Sequence, residues 1–253
     1  MDRRQFVAAS GAATLALGLT PARAFAQASS GDVKLNALFD EIGQQLMLRS
    51  PEFASSAGFD KFGDLKSRLT PRTAARRAED LALSRQRLTQ LQAIDPATLS
   101  AAGRLNREVV IYQTERRIVG PAQFGLNDAG SPYVLSQLTG SYFNTPDFLN
   151  ATHTIANAAD AEAYLKRVSA FATALDEDTA EQRAQAARGF VAPAWSLDLA
   201  LGQLQALRGR PAAESTLVRS VVTRTAAKTI AGDWGARAAA IVDTQVYPAL
   251  DGK

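Results

Sequence analysis

Residues 32–51 read DVKLNALFDEIGQQLMLRSP. Leu35, Leu38, Phe39, Ile42 and Leu46 recur at three- and four-residue spacing, which places one apolar stripe on one face of an α-helix. Asp32 stands where an N-cap is expected, and the helix should stop at Ser50-Pro51, because a residue before proline disfavours the α region. The same grammar repeats along the chain. After a loop holding Gly58 and Gly63, Thr70-Pro71 should open a long helix through Leu81, Leu88 and Leu91 that ends near Ile94-Asp95-Pro96. A further helix is expected from about Thr98 through Leu105, Val109, Tyr112 and Val119 to Gly120-Pro121. Val109 to Tyr112 and Val218 to Val222 have β propensity, but each lies inside a longer helical period.

The stretch from Gly120 to Asn144 breaks this pattern. It combines Gly120, Pro121, Gly125, Gly130, Pro132 and Gly140 with Phe124, Tyr133, Tyr142 and Phe143. It reads as a structured loop with a short helix near Tyr133 to Leu138, and the four aromatics are the candidate lining of a ligand groove. They could equally cap the core of a helical domain. Thr145-Pro146-Asp147 should restart a helix toward Asn157, Asp160 should head the next, and Asp176 another that ends at Gly189. Pro193 should open a helix through Trp195, Leu199, Leu201, Leu204 and Leu207, followed by helices at about 213–229 and 233–250. The fold class is therefore all-α: a multi-helix array of about eight to nine helices with one Gly/aromatic-rich structured loop.

The chain has 253 residues, no cysteine, one histidine and two methionines. Disulfides, thiolate nucleophiles and Cys/His zinc sites are excluded, and a site needing two imidazoles cannot be built from this chain alone. Asp2-Arg3-Arg4-Gln5-Phe6, an apolar run from Ala8 to Leu19, and Ala24-Phe25-Ala26 form a signal peptide over residues 1–26. The run is too short to span a bilayer. The Arg3-Arg4 pair followed by Phe6 fits twin-arginine export, with Arg23 near the cleavage site and cleavage expected after Ala26. With no cysteine present, no stable membrane anchor is expected, and the destination is the periplasm or the exterior. The leader removes three arginines and one aspartate, so 28 basic and 25 acidic residues become 25 and 24. A near-neutral helical domain over 27–253 with no basic stripe is not expected to bind nucleic acid.

Local motifs identify no chemistry. His153 would need a Ser or Asp partner to act as a base; otherwise it is a surface or helix-end histidine. Asp176-Glu177-Asp178 with Glu181 lacks the spacing of a calcium loop and reads as a favourably charged helix N-terminus. Phosphate-binding glycine loops, a G-x-S-x-G elbow and H-E-x-x-H are all missing. Trp195 beside Pro193 reads as a core anchor.

Six phrases, taken in order, carry a resemblance. They are Pro51-Glu52-Phe53-Ala54-Ser55-Ser56-Ala57-Gly58, Gln92-Ala93-Ile94-Asp95 and Ser131-Pro132-Tyr133-Val134-Leu135-Ser136-Gln137-Leu138, then Asp160-Ala161-Glu162-Ala163-Tyr164-Leu165-Lys166-Arg167, Gly189-Phe190-Val191-Ala192-Pro193 and Tyr247-Pro248-Ala249-Leu250. In this order and spacing they resemble the amino-terminal half of the bacterial "domain of unknown function 885" family, whose members are long, mostly helical, often exported proteins related to zincin-like metallopeptidases. The resemblance implies a helical domain forming one wall of a peptide-binding cleft, with a peptide as ligand. The family's His/Glu zinc motif lies in its carboxy-terminal half, so no catalytic, cofactor-binding or metal residue is assigned here, and zinc is expected only in a full-length member. The expectation is a truncated amino-terminal half, inactive alone, whose partner is a missing carboxy-terminal half. Two other readings stand beside it: a self-sufficient periplasmic binding module using the 120–144 loop, and a hydrolase using His153. A truncated half should expose an apolar patch near Trp234, Ile241, Val242 and Tyr247.

Overall fold

A computed structural model describes residues 30–127 and 131–252; the leader, with Arg3, Arg4, Ala24 and Ala26, lies outside them. Every described element is helical: α1 (Ser30–Arg49), α2 (Pro51–Ser56), α3 (Ala74–Gln92), α4 (Ala101–Val119), α5 (Ser141–Asp147), α6 (Ala158–Ala187), α7 (Ala194–Arg208), α8 (Thr216–Ala226), α9 (Trp234–Ile241) and α10 (Tyr247–Asp251). A π-helical turn, Val242–Val246, joins α9 and α10 into one rod, which gives nine helices among the described residues. None of them is long and apolar enough to cross a membrane.

The main core is built around α6. Tyr164, Val168, Phe171 and Leu175, at helical spacing, are wholly buried. They meet Leu217, Val218 and Val221 of α8, Trp234 and Ala238 of α9, and Tyr247 and Leu250 of α10. Each such aliphatic or aromatic side chain contributes about 1.5–3 kcal/mol by leaving water. A second, smaller cluster holds α1 against α3 and α4 through Leu35, Leu91 and Leu99, with Leu38, Phe39, Val110 and Ile111 packed around them. Asn157, Ser215, Ser100 and Thr73 cap α6, α8, α4 and α3, each side-chain oxygen accepting a backbone N–H of the first turn.

Several boundaries differ from the sequence reading, each for a local reason. Pro51 does not merely stop α1; it opens α2 as a first-turn residue. Thr70 is not a cap, because its N–H and hydroxyl both donate to the Glu52 carboxylate; the chain stays non-helical until Thr73 caps α3. Asp32 lies in the first turn of α1, and its carboxylate accepts from the Ser100 N–H just ahead of α4. No helix forms at Tyr133–Leu138, where an isolated bridge pairs Ser136 with Thr139, and α5 begins at Ser141 with Pro146 inside it. Asp176 does not start a helix. α6 runs unbroken through it, with the acidic run facing α3: Asp178 pairs with Arg72 and also accepts the Ser141 N–H at 2.6 Å, while Glu181 pairs with Arg77.

Apolar exposure also falls elsewhere than expected. Trp234, Val242 and Tyr247 are buried in the main core, and Ile241 packs against it, so the apolar patch expected there of a truncated half does not form. Trp195, read as a core anchor, is 60% exposed, because α7 turns Ser196 and Ala200 inward instead. Leu105, Val109 and Tyr112 form an exposed stripe along α4.

Candidate functional site

Of the four aromatics of the Gly-rich stretch, Tyr142 and Phe143 form a ring pair, while Tyr133 pairs with Phe190 instead. Tyr142 is buried in the main core, and its hydroxyl is held between the Ser136 carbonyl and Gln203 Oε1 at 2.7 and 2.8 Å. Phe143 packs edge-on against it with ring centroids 6.4 Å apart, and is partly exposed. Tyr133 stacks on Phe190 at 4.9 Å, and Phe124 lies largely in solvent at the end of the α4 extension.

His153 is neither a surface residue nor a free base. It is buried at the end of the turn that follows α5, and both ring nitrogens are committed. Arg167 Nη1 lies 2.8 Å from Nδ1; a guanidinium can only donate, so Nδ1 accepts. Nε2 must then carry the proton and donate to the Asp160 carbonyl at 3.0 Å. Burial, with Arg167, Lys66 and Arg224 nearby, pushes the His153 pKa down to about 4 despite the opposing Asp160 carbonyl bond. The imidazole is therefore neutral and a structural hinge pin rather than a proton carrier.

Arg167, which no sequence motif singled out, is fully buried. It donates to the carbonyls of Arg68 at 2.9 Å and Leu65 at 3.0 Å and to Ser55 Oγ at 2.8 Å, while its guanidinium lies 4.8 Å over the Phe148 ring. Burial lowers its pKa to about 10, against the opposing charges of Glu52 and Asp60. Arg224 extends the network by donating to the His153 and Leu149 carbonyls. The Arg167 bonds lock the segment 51–68 onto α6, and the Arg224 bonds tie the turn 148–153 to α8.

That locked segment presents a groove. Gly58 and Gly63, both with positive φ, bracket Phe59-Asp60-Lys61-Phe62 and turn the two phenylalanines outward. Phe59 and Phe62 stack at 6.4 Å and stay about half exposed or more. Facing α1 supplies Phe39, Met47 and Leu48, and Gly43 opposite leaves open space. The resulting groove has a volume of about 610 Å³, an apolar floor ending on buried Leu65, and Asp40 and Gln44 at its edge. Met and aromatic side chains around an adaptable apolar cleft suit the side chains of a bound segment. Sequence reading passed over these residues as loop. The signal was present as two phenylalanines held between two glycines. Among the described residues, no group of three or more His, Asp or Glu side chains is arranged to hold a metal ion.

Residues 51–252 match the family described as "Bacterial protein of unknown function (DUF885)". The chain belongs to the DUF885 family. This DUF885 chain is also similar to a solved structure titled "The crystal structure of the putative lipoprotein from Colwellia psychrerythraea". The two share 18% identity with a TM-score of 0.76, over 88% of this chain and 40% of that one, so the likeness is one of fold. The DUF885 chain thus spans about two fifths of the length of that protein. No curated protein matches it.

Proposed function

We propose that this chain is a helical recognition domain of a larger, exported, metallopeptidase-like architecture, and that it holds an apolar segment of a peptide in the Phe59–Phe62 groove while the chemistry resides elsewhere in that architecture. The observation that carries the reading is the groove itself: half-exposed aromatic rings held on a rigid segment, facing a Met- and Phe-lined helix. The commitment of both His153 nitrogens supports it, since the chain's one imidazole has no free nitrogen to offer a substrate or an ion. Arg3-Arg4 and Ala24-Phe25-Ala26 support export by the twin-arginine route with cleavage after Ala26.

The test has two arms. The purified chain, supplied with zinc, should cleave no peptide; turnover that a chelator abolishes would overturn the reading. On an array of unstructured peptides, the chain should retain those with Phe or Leu side chains, and Phe62→Ala should reduce retention without altering the fold. Undiminished binding by Phe62→Ala would remove the groove from the account. A second reading rests on the exposure of Phe124 and the Tyr133–Phe190 stack: a self-sufficient binding module using that surface. In that case Tyr133→Ala, rather than Phe62→Ala, would abolish retention.

A further inference from the structure

α1, α3 and α4 converge on a second cavity, of about 330 Å³, whose polar lining is five arginines with Asp80, Ser50, Ser84 and Asn127. Arg49 closes α1, Arg76, Arg77 and Arg87 come from α3, and Arg117 from α4. Three of the five have countercharges. Arg49 lies 2.8 Å from Asp80 and 3.1 Å from Glu79, Arg76 lies 2.8 Å from Asp80, and Arg77 pairs with Glu181. Arg87 and Arg117 form no ion pair with any described residue. Arg87 donates Nη2 to Gln45 Oε1 at 2.9 Å, but its Nε–H is buried with no acceptor. Burial, followed by the charges of Arg117 and Arg49, lowers its pKa, and the charges of Asp80 and Glu41 oppose this.

A buried N–H of a charged group without an acceptor carries its full desolvation penalty, and a second guanidinium nearby adds repulsion. Native structures rarely leave such a group unanswered. Arg87 and the exposed Arg117, neither ion-paired with a described residue, together with the buried Arg87 Nε–H that has no acceptor, match a ligand with two negative charges and at least two oxygens, which arginine forks bind in bidentate fashion. We propose that this cavity binds a small doubly charged oxyanion: a phosphate monoester or a dicarboxylate. Leu81 and Pro121 also line the cavity and offer apolar surface to a short carbon body. The site is separate from the Phe59–Phe62 groove and shares no lining residue with it.

The experiment uses the full purified chain in chloride buffer. Inorganic phosphate, above its second pKa, and succinate are titrated by calorimetry and by thermal unfolding, against chloride at equal ionic strength. At least one of the two should bind saturably and raise the unfolding temperature more than chloride does. Arg87→Gln and Arg117→Gln should each weaken that binding by about tenfold or more. Arg208→Gln, which removes a guanidinium paired with Asp251 outside this cavity, should bind as wild type. In chloride alone, Arg87→Gln should unfold at the same temperature as wild type or higher, because it removes a partly buried guanidinium whose Nε–H has no acceptor; a purely structural Arg87 would do the opposite. If Arg87→Gln does not fold, the exposed Arg117 carries the test. Phosphate preferred over succinate identifies a phosphate ester as the ligand class, and the reverse a dicarboxylate. Binding no stronger than that of chloride, or full binding by both variants, would overturn the proposal.

Discussion

Acid should weaken this fold through His153. The imidazole is held neutral, with Nδ1 accepting from Arg167 and Nε2 donating to Asp160, and its pKa falls from an ordinary 6.5 to about 4. In the unfolded chain the ring takes a proton first. The His153 contribution is therefore fully present above about pH 6.5 and is lost as pH falls toward about 4; below that the folded state is protonated too, and no more is lost. The full difference is about 3 kcal/mol, at about 1.4 kcal/mol per pH unit. That is a large share of a domain stability of about 5–15 kcal/mol. The perturbation is His153→Gln, which does not titrate. Urea unfolding of both proteins at intervals from about pH 7.5 to about pH 4.5 isolates the histidine, since carboxylates common to both largely cancel in the difference. The wild-type advantage should be constant above about pH 6.5 and shrink by about 2–3 kcal/mol by about pH 4.5. A difference that does not vary with pH, or that grows on acidification, would refute the assignment of a neutral, buried His153.

Three other outcomes follow from the packing. Arg167→Met strips donors from three carbonyls, Ser55 Oγ and His153 Nδ1, and should cost about 3–5 kcal/mol by urea unfolding, with the fastest rise in amide exchange across 51–68. Phe171→Ala, in the centre of α6, should cost about 3–5 kcal/mol, whereas Trp195→Ala should change stability by less than about 1 kcal/mol despite the larger side chain. Gly63→Ala forces a Cβ into left-handed backbone and should cost about 1 kcal/mol while reorienting Phe62, which a Phe62-dependent binding assay would register.

The helical class was legible because the apolar periods of α1, α4, α6 and α8 are long, and the β-branched runs Val109–Tyr112 and Val218–Val222 were outvoted by them. Boundaries failed where a side chain answered to a distant partner. Thr70 looked like a cap but is taken up by Glu52, eighteen residues earlier. The acidic run Asp176–Asp178 with Glu181 looked like a helix start, yet Asp178 answers Arg72 just ahead of α3 and Glu181 answers Arg77 within it. Single residues misled for the same reason. Trp195 reads as core from its type alone, but the small residues Ser196 and Ala200 form the inward face of α7. His153 lacked any visible partner because Arg167 lies on another helix, and nothing in the spacing 153–167 marks them as a pair. The groove around Phe59 and Phe62 depends on two glycines acting on backbone direction, which residue counting treats as loop.

Under the proposed function, this chain recognises an apolar peptide segment on the Phe59–Phe62 face. Hydrogen exchange of the purified chain, with and without a peptide retained on the array, tests it most directly. Protection confined to residues 39–48 and 59–65, and lost in Phe62→Ala, is the predicted result. Protection at 120–144 instead, or none at a saturating concentration of the peptide, would contradict it.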